Sequence, residues 1–184
     1  EFWNAYVKQH MLFLRTAFTQ QYIVNNLRAQ HFAQPMGSAM HDLCMKHCID
    51  LHQTHIPEGV DFGYFEYMGL GTVVDSLSAI KKLVFEDKKL TMDEVIKAID
   101  ANFEGYEDIR KMCFEAPKHG NDYPEVEGFV QQYYRDVDEI HHSVGPDCFG
   151  HRTPLDAYSL SYHNYFAPMT GALPNGRQKG VALT

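Results

Sequence analysis

Apolar side chains recur at helical spacing over residues 2–30. Trp3, Val7, Met11, Leu14 and Phe18 make one stripe, after which Tyr22, Ile23, Val24 and Leu27 spread around the axis. The spacing predicts a helix, and apolar residues on several of its faces predict that it is buried in a larger body. Pro35 and Gly37 break the pattern, and a second helix is expected from Ser38 to Gln53. Val73, Leu77, Ile80 and Val84 mark another that runs to Phe85. Thr91-Met-Asp-Glu94 reads as a capping box, in which the Thr hydroxyl satisfies an early helix N–H and the Glu reaches back. Met92, Val95, Ile96, Ile99 and Phe103 follow in register until Gly105 ends the helix. Tyr106 to Ala116 is a short helix stopped by Pro117. Gly120 and Asn121 mark a turn. Asp122 is expected to cap a helix that buries Val126, Phe129, Val130, Tyr133, Val137 and Ile140, and Gly145-Pro146 ends it. Leu155 to Tyr162 alternates as a strand does, and Gly171 to Gly176 is a turn.

The stretch Gly59-Val-Asp-Phe-Gly-Tyr-Phe-Glu-Tyr-Met-Gly-Leu-Gly71 stands out from this background. Glycines interrupt an aromatic run of Phe62, Tyr64, Phe65 and Tyr67, with one carboxylate, Glu66, in its middle. Helical spacing begins just downstream, so the stretch is a strand or loop feeding a helix, with Gly69 and Gly71 permitting positive φ at the junction. A carboxylate among aromatic rings resists staying charged and therefore needs a raised pKa or a partner. The plainer alternative is an edge-strand Glu facing solvent.

His41, Cys44, Cys48, His52 and His55 would share one face of the expected second helix. Thiolate and imidazole are zinc's preferred ligands. Ligands along one straight helix do not converge on a tetrahedral point without a second element, however, and Cys is also a common small buried hydrophobe. The expectation is a structural face and no metal. Cys148, near His141-His142, is expected to be structural or merely available, since a reactive Cys needs an electropositive setting. The four cysteines, at 44, 48, 113 and 148, follow no secreted disulfide framework, which points to a cytoplasmic protein with reduced thiols. A net charge of −8 argues against nucleic acid, which needs clustered Lys and Arg. The pairs Lys81-Lys82 and Lys88-Lys89 sit beside acidic residues as solvated faces. No apolar run reaches the length of a membrane span, and neither a phosphate-binding Gly loop nor a G-x-S-x-G elbow is present. The chain opens inside a helical pattern and stops at Val181-Ala-Leu-Thr184 without a terminator, so it is expected to be a piece of something longer.

Three segments together resemble the glycyl radical enzymes, the pyruvate formate-lyase-like superfamily. They are residues 69–85, GLGTVVDSLSAIKKLVF; Asn102-Phe-Glu-Gly-Tyr-Glu-Asp-Ile-Arg110 with Ala116-Pro-Lys-His-Gly-Asn-Asp122; and Thr170-Gly-Ala-Leu-Pro-Asn-Gly-Arg177. Their order and spacing match over nearly the whole chain, with His119 departing from the Tyr that many members carry. The resemblance implies an α/β fold, a ten-stranded α/β barrel with two antiparallel five-stranded halves. Residues 1–184 would be a mostly helical fragment of that single catalytic domain, with a few strands. It also implies a Gly-Cys-x-Glu thiyl loop and an Arg-Val-x-Gly-Tyr radical loop. Neither is in this sequence, so none of Cys44, Cys48, Cys113 and Cys148 inherits the thiyl role, and the fragment alone is expected to be inactive.

Within the family, the aromatic-flanked Glu66 resembles the 4-hydroxyphenylacetate decarboxylase branch, whereas dehydratases carry Gln and small residues there. That implies Glu66 as general base towards the substrate phenol, with Phe65 and Tyr67 binding the substrate and p-cresol and CO2 as products. The implied cofactor is a glycyl radical outside the fragment, installed by an S-adenosylmethionine iron–sulfur activating enzyme. The implied partners are a small arylacetate substrate, that activating enzyme and a small iron–sulfur accessory subunit, in a homo- or hetero-oligomer. A glycyl radical dehydratase, a C–N or C–C lyase, and a non-catalytic helical scaffold are the alternative readings.

Overall fold

The computed structural model describes residues 2–52, 56, 65–145, 155–157 and 161–183, and of 65–67, 144 and 155–157 the backbone alone. Helices dominate: α1 (Phe2–His31), α2 (Pro35–Ala39), α3 (Asp42–His47), α4 (Leu70–Ile80), α5 (Met92–Asp100), α6 (Glu107–Glu115), α7 (Pro124–Val144) and α8 (Tyr162–Phe166). The strands among the described residues, β1 (Phe65–Tyr67) and β2 (Leu155–Ala157), pair into one sheet. The chain divides into two compact units, one of residues 1–65 and 135–156, the other of 66–134 and 157–184.

In the first unit, α1 packs on the C-terminal part of α7. Trp3 Nε1 donates to Asp136 Oδ2 at 2.7 Å, Phe18 meets the His141 ring edge-on at 4.6 Å, and Tyr22 Oη donates to the Gly145 carbonyl at 2.9 Å. Leu14 and Phe18 are the fully buried members of the expected stripe. Leu12 and Phe13, 66% and 68% exposed, leave apolar surface on another side of the helix. Burial pushes the Tyr6 phenol up to about 12. It also lowers the pKa of His10, with the charge of His141 adding to the effect.

The expected helix from Ser38 to Gln53 does not form. Two short helices stand in its place, with His41 extended between them and Cys48 left-handed at φ 54° after α3. Side chains that bond to backbone close the bend, the usual way Ser and Asp compete with a helix. The Ser38 hydroxyl lies 2.7 Å from the Gln34 carbonyl and 2.9 Å from Asp50 Oδ2, and accepts from the Leu51 N–H. Asp50 accepts from the N–H groups of Gln34 and His52, which with the Ser38 contact hold its carboxyl below the ordinary range, the His52 bond foremost.

The second unit has a core of Leu83, Leu90, Val95, Ala98, Phe103, Cys113 and Ala172. Gly69, at φ 80°, precedes α4 as its N-cap. The helix continues as a π-helical turn over Lys81–Glu86, which brings Leu83 into the core. The capping box of α5 is present as expected: the Glu94 N–H donates to Thr91 Oγ1 at 3.3 Å and the Thr91 N–H to Glu94 Oε2 at 2.7 Å. That helix ends at Asp100, earlier than Gly105. Asn102, at φ 53°, donates to the Ile99 carbonyl, and the Phe103 N–H donates to that of Ala98 at 2.7 Å. This pair of bonds is a Schellman cap, and it turns Phe103 into the core. Asp122 does not cap α7. It is left-handed at φ 56°, and the helix opens on Pro124, whose fixed φ and missing N–H suit a first turn. Val126, Tyr133, Val137 and Ile140 are buried along α7 as expected, whereas Phe129 and Val130 are only half-buried. The expected strand from Leu155 to Tyr162 is shorter: β2 covers Leu155–Ala157, and Tyr162 already begins α8.

Candidate functional site

Glu66 lies at the centre of β1, between Phe65 and Tyr67 and three residues before the left-handed Gly69 that starts α4. This is a strand end feeding a helix, as the glycine spacing predicts. The side chains of Phe65, Glu66 and Tyr67 lie outside the described residues, as do Phe62, Tyr64, His55 and Cys148 in full.

The polar groups that the structure brings together are ones that sequence spacing did not single out. Asp75, on the inner face of α4 and 6% exposed, accepts the His119 N–H at 2.8 Å through Oδ1. Burial raises its pKa, opposed first by that hydrogen bond and then by the charges of Lys118 and His119. Lys118 donates to the Cys113 carbonyl at 2.7 Å. Burial lowers its pKa, against the pull of Asp75 and Cys113. Burial likewise pushes the Cys113 thiol up, so Cys113 is an inert core thiol rather than a nucleophile. Ser78 donates to the Pro117 carbonyl at 2.8 Å. Glu127 of α7 accepts the Gly120 N–H at 3.1 Å and lies 2.9 Å from His119 Nδ1. Both contacts hold its carboxyl below the usual range, the Gly120 bond foremost. The turn at residues 117–120 is thereby tied to α4, α6 and α7.

The segment at 170–177 is tied to the α5–α6 region in the same way. Gly176 has φ 88°, and a Cβ there would stand 2.9 Å from the Phe114 nitrogen and 3.1 Å from the Arg110 carbonyl, so only glycine fits. Arg110 Nε donates to the Gly176 carbonyl at 3.1 Å. Asn102 accepts the Lys179 N–H at 2.8 Å through its side chain and Gln178 Nε2 at 3.2 Å through its carbonyl. Arg177, 7% exposed, spends its guanidinium on backbone carbonyls. These are scaffold contacts; no nucleophile or acid–base pair faces a cavity among them.

The expected Cys/His face is not one face. His41 is extended, Cys44 is buried in α3, Cys48 is exposed and left-handed, and His52 Nδ1 lies 2.6 Å from the Phe32 carbonyl. A cleft bounded by Pro35, Ser38, Cys44, Cys48 and Asp50 lies beside it. Among the described residues no group of three or more His, Cys, Asp or Glu side chains is arranged to hold a metal ion, and no helix is long and apolar enough to cross a membrane.

Comparison with known proteins places this scaffold. The family model for pyruvate formate lyase-like proteins matches residues 1–167. Isethionate sulfite-lyase of Desulfovibrio desulfuricans is 57% identical over 188 aligned residues, covering all of this chain and 22% of that protein. The chain thus spans about a fifth of the length of such relatives. The 4-hydroxyphenylacetate decarboxylase glycyl radical subunit of Clostridioides difficile is 26% identical over 214 aligned residues, covering 100% of this chain and 22% of that protein. The expected decarboxylase branch is therefore a distant relative rather than a near one. Hydroxyproline dehydratase of Clostridioides difficile superposes with a TM-score of 0.81 at 29% identity, covering 99% of this chain and 23% of its own. The B12-independent glycerol dehydratase of Clostridium butyricum superposes with a TM-score of 0.84 at 27% identity, covering 100% and 23%. With a family match over most of its length and the same fold as these solved enzymes, the chain belongs to the pyruvate formate lyase-like family of glycyl radical lyases and dehydratases.

Proposed function

We propose that the chain is part of a glycyl radical carbon–sulfur lyase whose substrate is a small hydroxyalkanesulfonate, isethionate first. The observation behind this reading is the identity to isethionate sulfite-lyase, sustained along the whole chain and about twice that to the decarboxylase. The reaction balances without a co-reactant. The C–S bond of 2-hydroxyethanesulfonate breaks, sulfite leaves, and the remaining two-carbon unit becomes acetaldehyde. Arylacetate decarboxylation is the weaker reading, carried by the resemblance around Glu66 alone.

The glycyl radical supplies one-electron hydrogen abstraction when the enzyme is activated. The loops that would hold it and its thiyl partner are not in these residues, so no radical step is assigned to this chain. Its part is a barrel wall in one catalytic domain, with Glu66 as the residue proposed to face the substrate and Phe65 and Tyr67 lining the pocket beside it. A sulfonate is an anion, and two anions in a low-dielectric site repel strongly. Glu66 therefore faces the hydroxyl end of such a substrate and works as a proton acceptor there. The whole enzyme is proposed to be cytoplasmic and oligomeric, activated by a separate S-adenosylmethionine iron–sulfur protein. The iron–sulfur accessory subunit belongs to the decarboxylase reading.

The test is anaerobic activation of the full-length protein, with the glycyl signal followed by electron paramagnetic resonance. Sulfite and acetaldehyde in equal amounts from isethionate are expected; p-cresol from 4-hydroxyphenylacetate, with no sulfite from isethionate, would return the assignment to the decarboxylases. Glu66→Gln should keep the radical signal and cut turnover by about 10²–10⁴-fold, the span of general acid–base assistance. Undiminished turnover would remove Glu66 from the site.

A further inference from the structure

The segment from Ala167 to Val181 contains a cation site that none of the chemistry above uses. Arg177 Nε donates to the Val181 carbonyl at 2.7 Å, Nη1 to those of Thr170 and Gly171 at 3.2 and 2.6 Å, and Nη2 to that of Ala167 at 2.8 Å. The side chain is buried, and among the described residues no carboxylate pairs with it. Among the described residues its charge is met by carbonyl dipoles. We propose that residues 167–181 form a strap assembled on a cation: four backbone carbonyls make a guanidinium site, Arg177 fills it from within the strap, and filling it seats Gly176 on α6.

The geometry supports this over a strap held by its turns. Four carbonyl oxygens directed at one buried centre repel one another unless a positive charge lies between them, and the acceptors come from both ends of the segment. The donors they require are spread over a plane, which a guanidinium supplies and an ammonium does not. The turn bonds within the strap, Leu173 N–H to the Arg177 carbonyl at 3.0 Å and Gly176 N–H to that of Leu173 at 3.1 Å, span only the middle of it. One backbone bond, from the Gly180 N–H to the Ala167 carbonyl at 3.2 Å, links the ends, but among the described residues no backbone bond joins Thr170 or Gly171 to Val181. The guanidinium does, and the loop it closes is the one that holds Gly176 on α6, where Arg110 Nε donates to its carbonyl and an added Cβ would collide with the Phe114 backbone.

The experiment is limited trypsin digestion of the full-length enzyme carrying Arg177→Ala, followed at Lys179 by mass spectrometry. An emptied site should make cleavage there about tenfold faster than in the unsubstituted enzyme, the behaviour of a segment that opens locally without global unfolding. Low-millimolar guanidinium should restore resistance, and urea, its neutral isostere, should not. Cleavage no faster than in the parent, or equal effects of guanidinium and urea, would overturn the proposal. Should the variant fail to fold, hydrogen exchange on the unsubstituted enzyme decides. The strap's amides should be protected together with those of α6, and exchange at the rate of an unstructured chain would overturn the cation-assembled strap.

Discussion

The bend at residues 34–52 and the clamp between residues 98–120 and 170–179 are both polar constructions, but they are closed at very different range. In the bend, Ser38 and Asp50 bond to backbone no more than sixteen residues away. In the clamp, Asn102 reaches Lys179 across 77 residues and Arg110 reaches Gly176 across 66, and beside it Asp75 of α4 reaches His119 across 44. The clamp is made from the very stretches that carry the family resemblance. Among the described residues those stretches are fitted to one another by contacts between side chains and backbone. The bend, rich in Cys and His, looks more like a site in sequence and is a local turn in structure.

If that contrast is right, the largest effect should come from Gly176→Ala. It places a Cβ against backbone at 2.9 Å in a positive-φ position and should destabilise by about 2–4 kcal/mol, overpacking and backbone strain together. Denaturant titration would show it; a loss near zero would mean the contact opens freely. Asp75 comes next. Asp75→Ala leaves the His119 N–H without its acceptor and should cost about 1–3 kcal/mol, while Asp75→Asn keeps an acceptor and should cost less. The pH dependence sharpens the point. The pKa of Asp75 is raised in the fold, so its contribution is fully present below the unfolded value and is lost as pH rises through the folded value. As pH rises from about 4, the ordinary carboxylate value, through the raised folded value, the parent should lose this contribution and Asp75→Asn should not. An identical slope for both would mean Asp75 titrates as it does in the unfolded chain.

Smaller effects belong to local features. Thr91→Ala should destabilise by about 0.5–2 kcal/mol and Thr91→Ser by much less, since the hydroxyl accepts the Glu94 N–H; equal costs would take the cap out of the account. In the bend, zinc offered at equimolar ratio and then dialysed should not be retained. Stoichiometric zinc lost in Cys44→Ala with Cys48→Ala would make the bend a metal site after all.

Helix-scale features were legible because periodicity and caps act within a few residues. The α1 stripe, the Thr91 box and the buried face of α7 all follow from local spacing. Errors arose where a side chain competed with the backbone or where φ turned positive at a residue other than glycine. Ser38 and Asp50 broke the expected second helix, and Asn102 ended α5 early. Asp122 has a capping residue's chemistry but took a left-handed turn ahead of Pro124. The clamp partners were out of reach for a different reason: no local pattern marks that Asn102 meets Lys179 or that Gly176 must pass α6. Family membership was legible from the combination of segments, whereas the branch rested on Glu66 and its aromatic neighbours, too few residues to outweigh identity along the whole chain.

The claim that the recognisable stretches fold as one clamp is tested most directly by a double-mutant cycle between Asn102→Gly and Arg177→Ala. Glycine keeps the positive φ at 102 and removes only the side chain that accepts Lys179. If Arg177 assembles the strap that Asn102 holds, losing one makes the other's contact worth little, and the cycle should show a coupling of about 1 kcal/mol. Additivity to within about 0.3 kcal/mol would contradict it, making the two ends of the clamp independent.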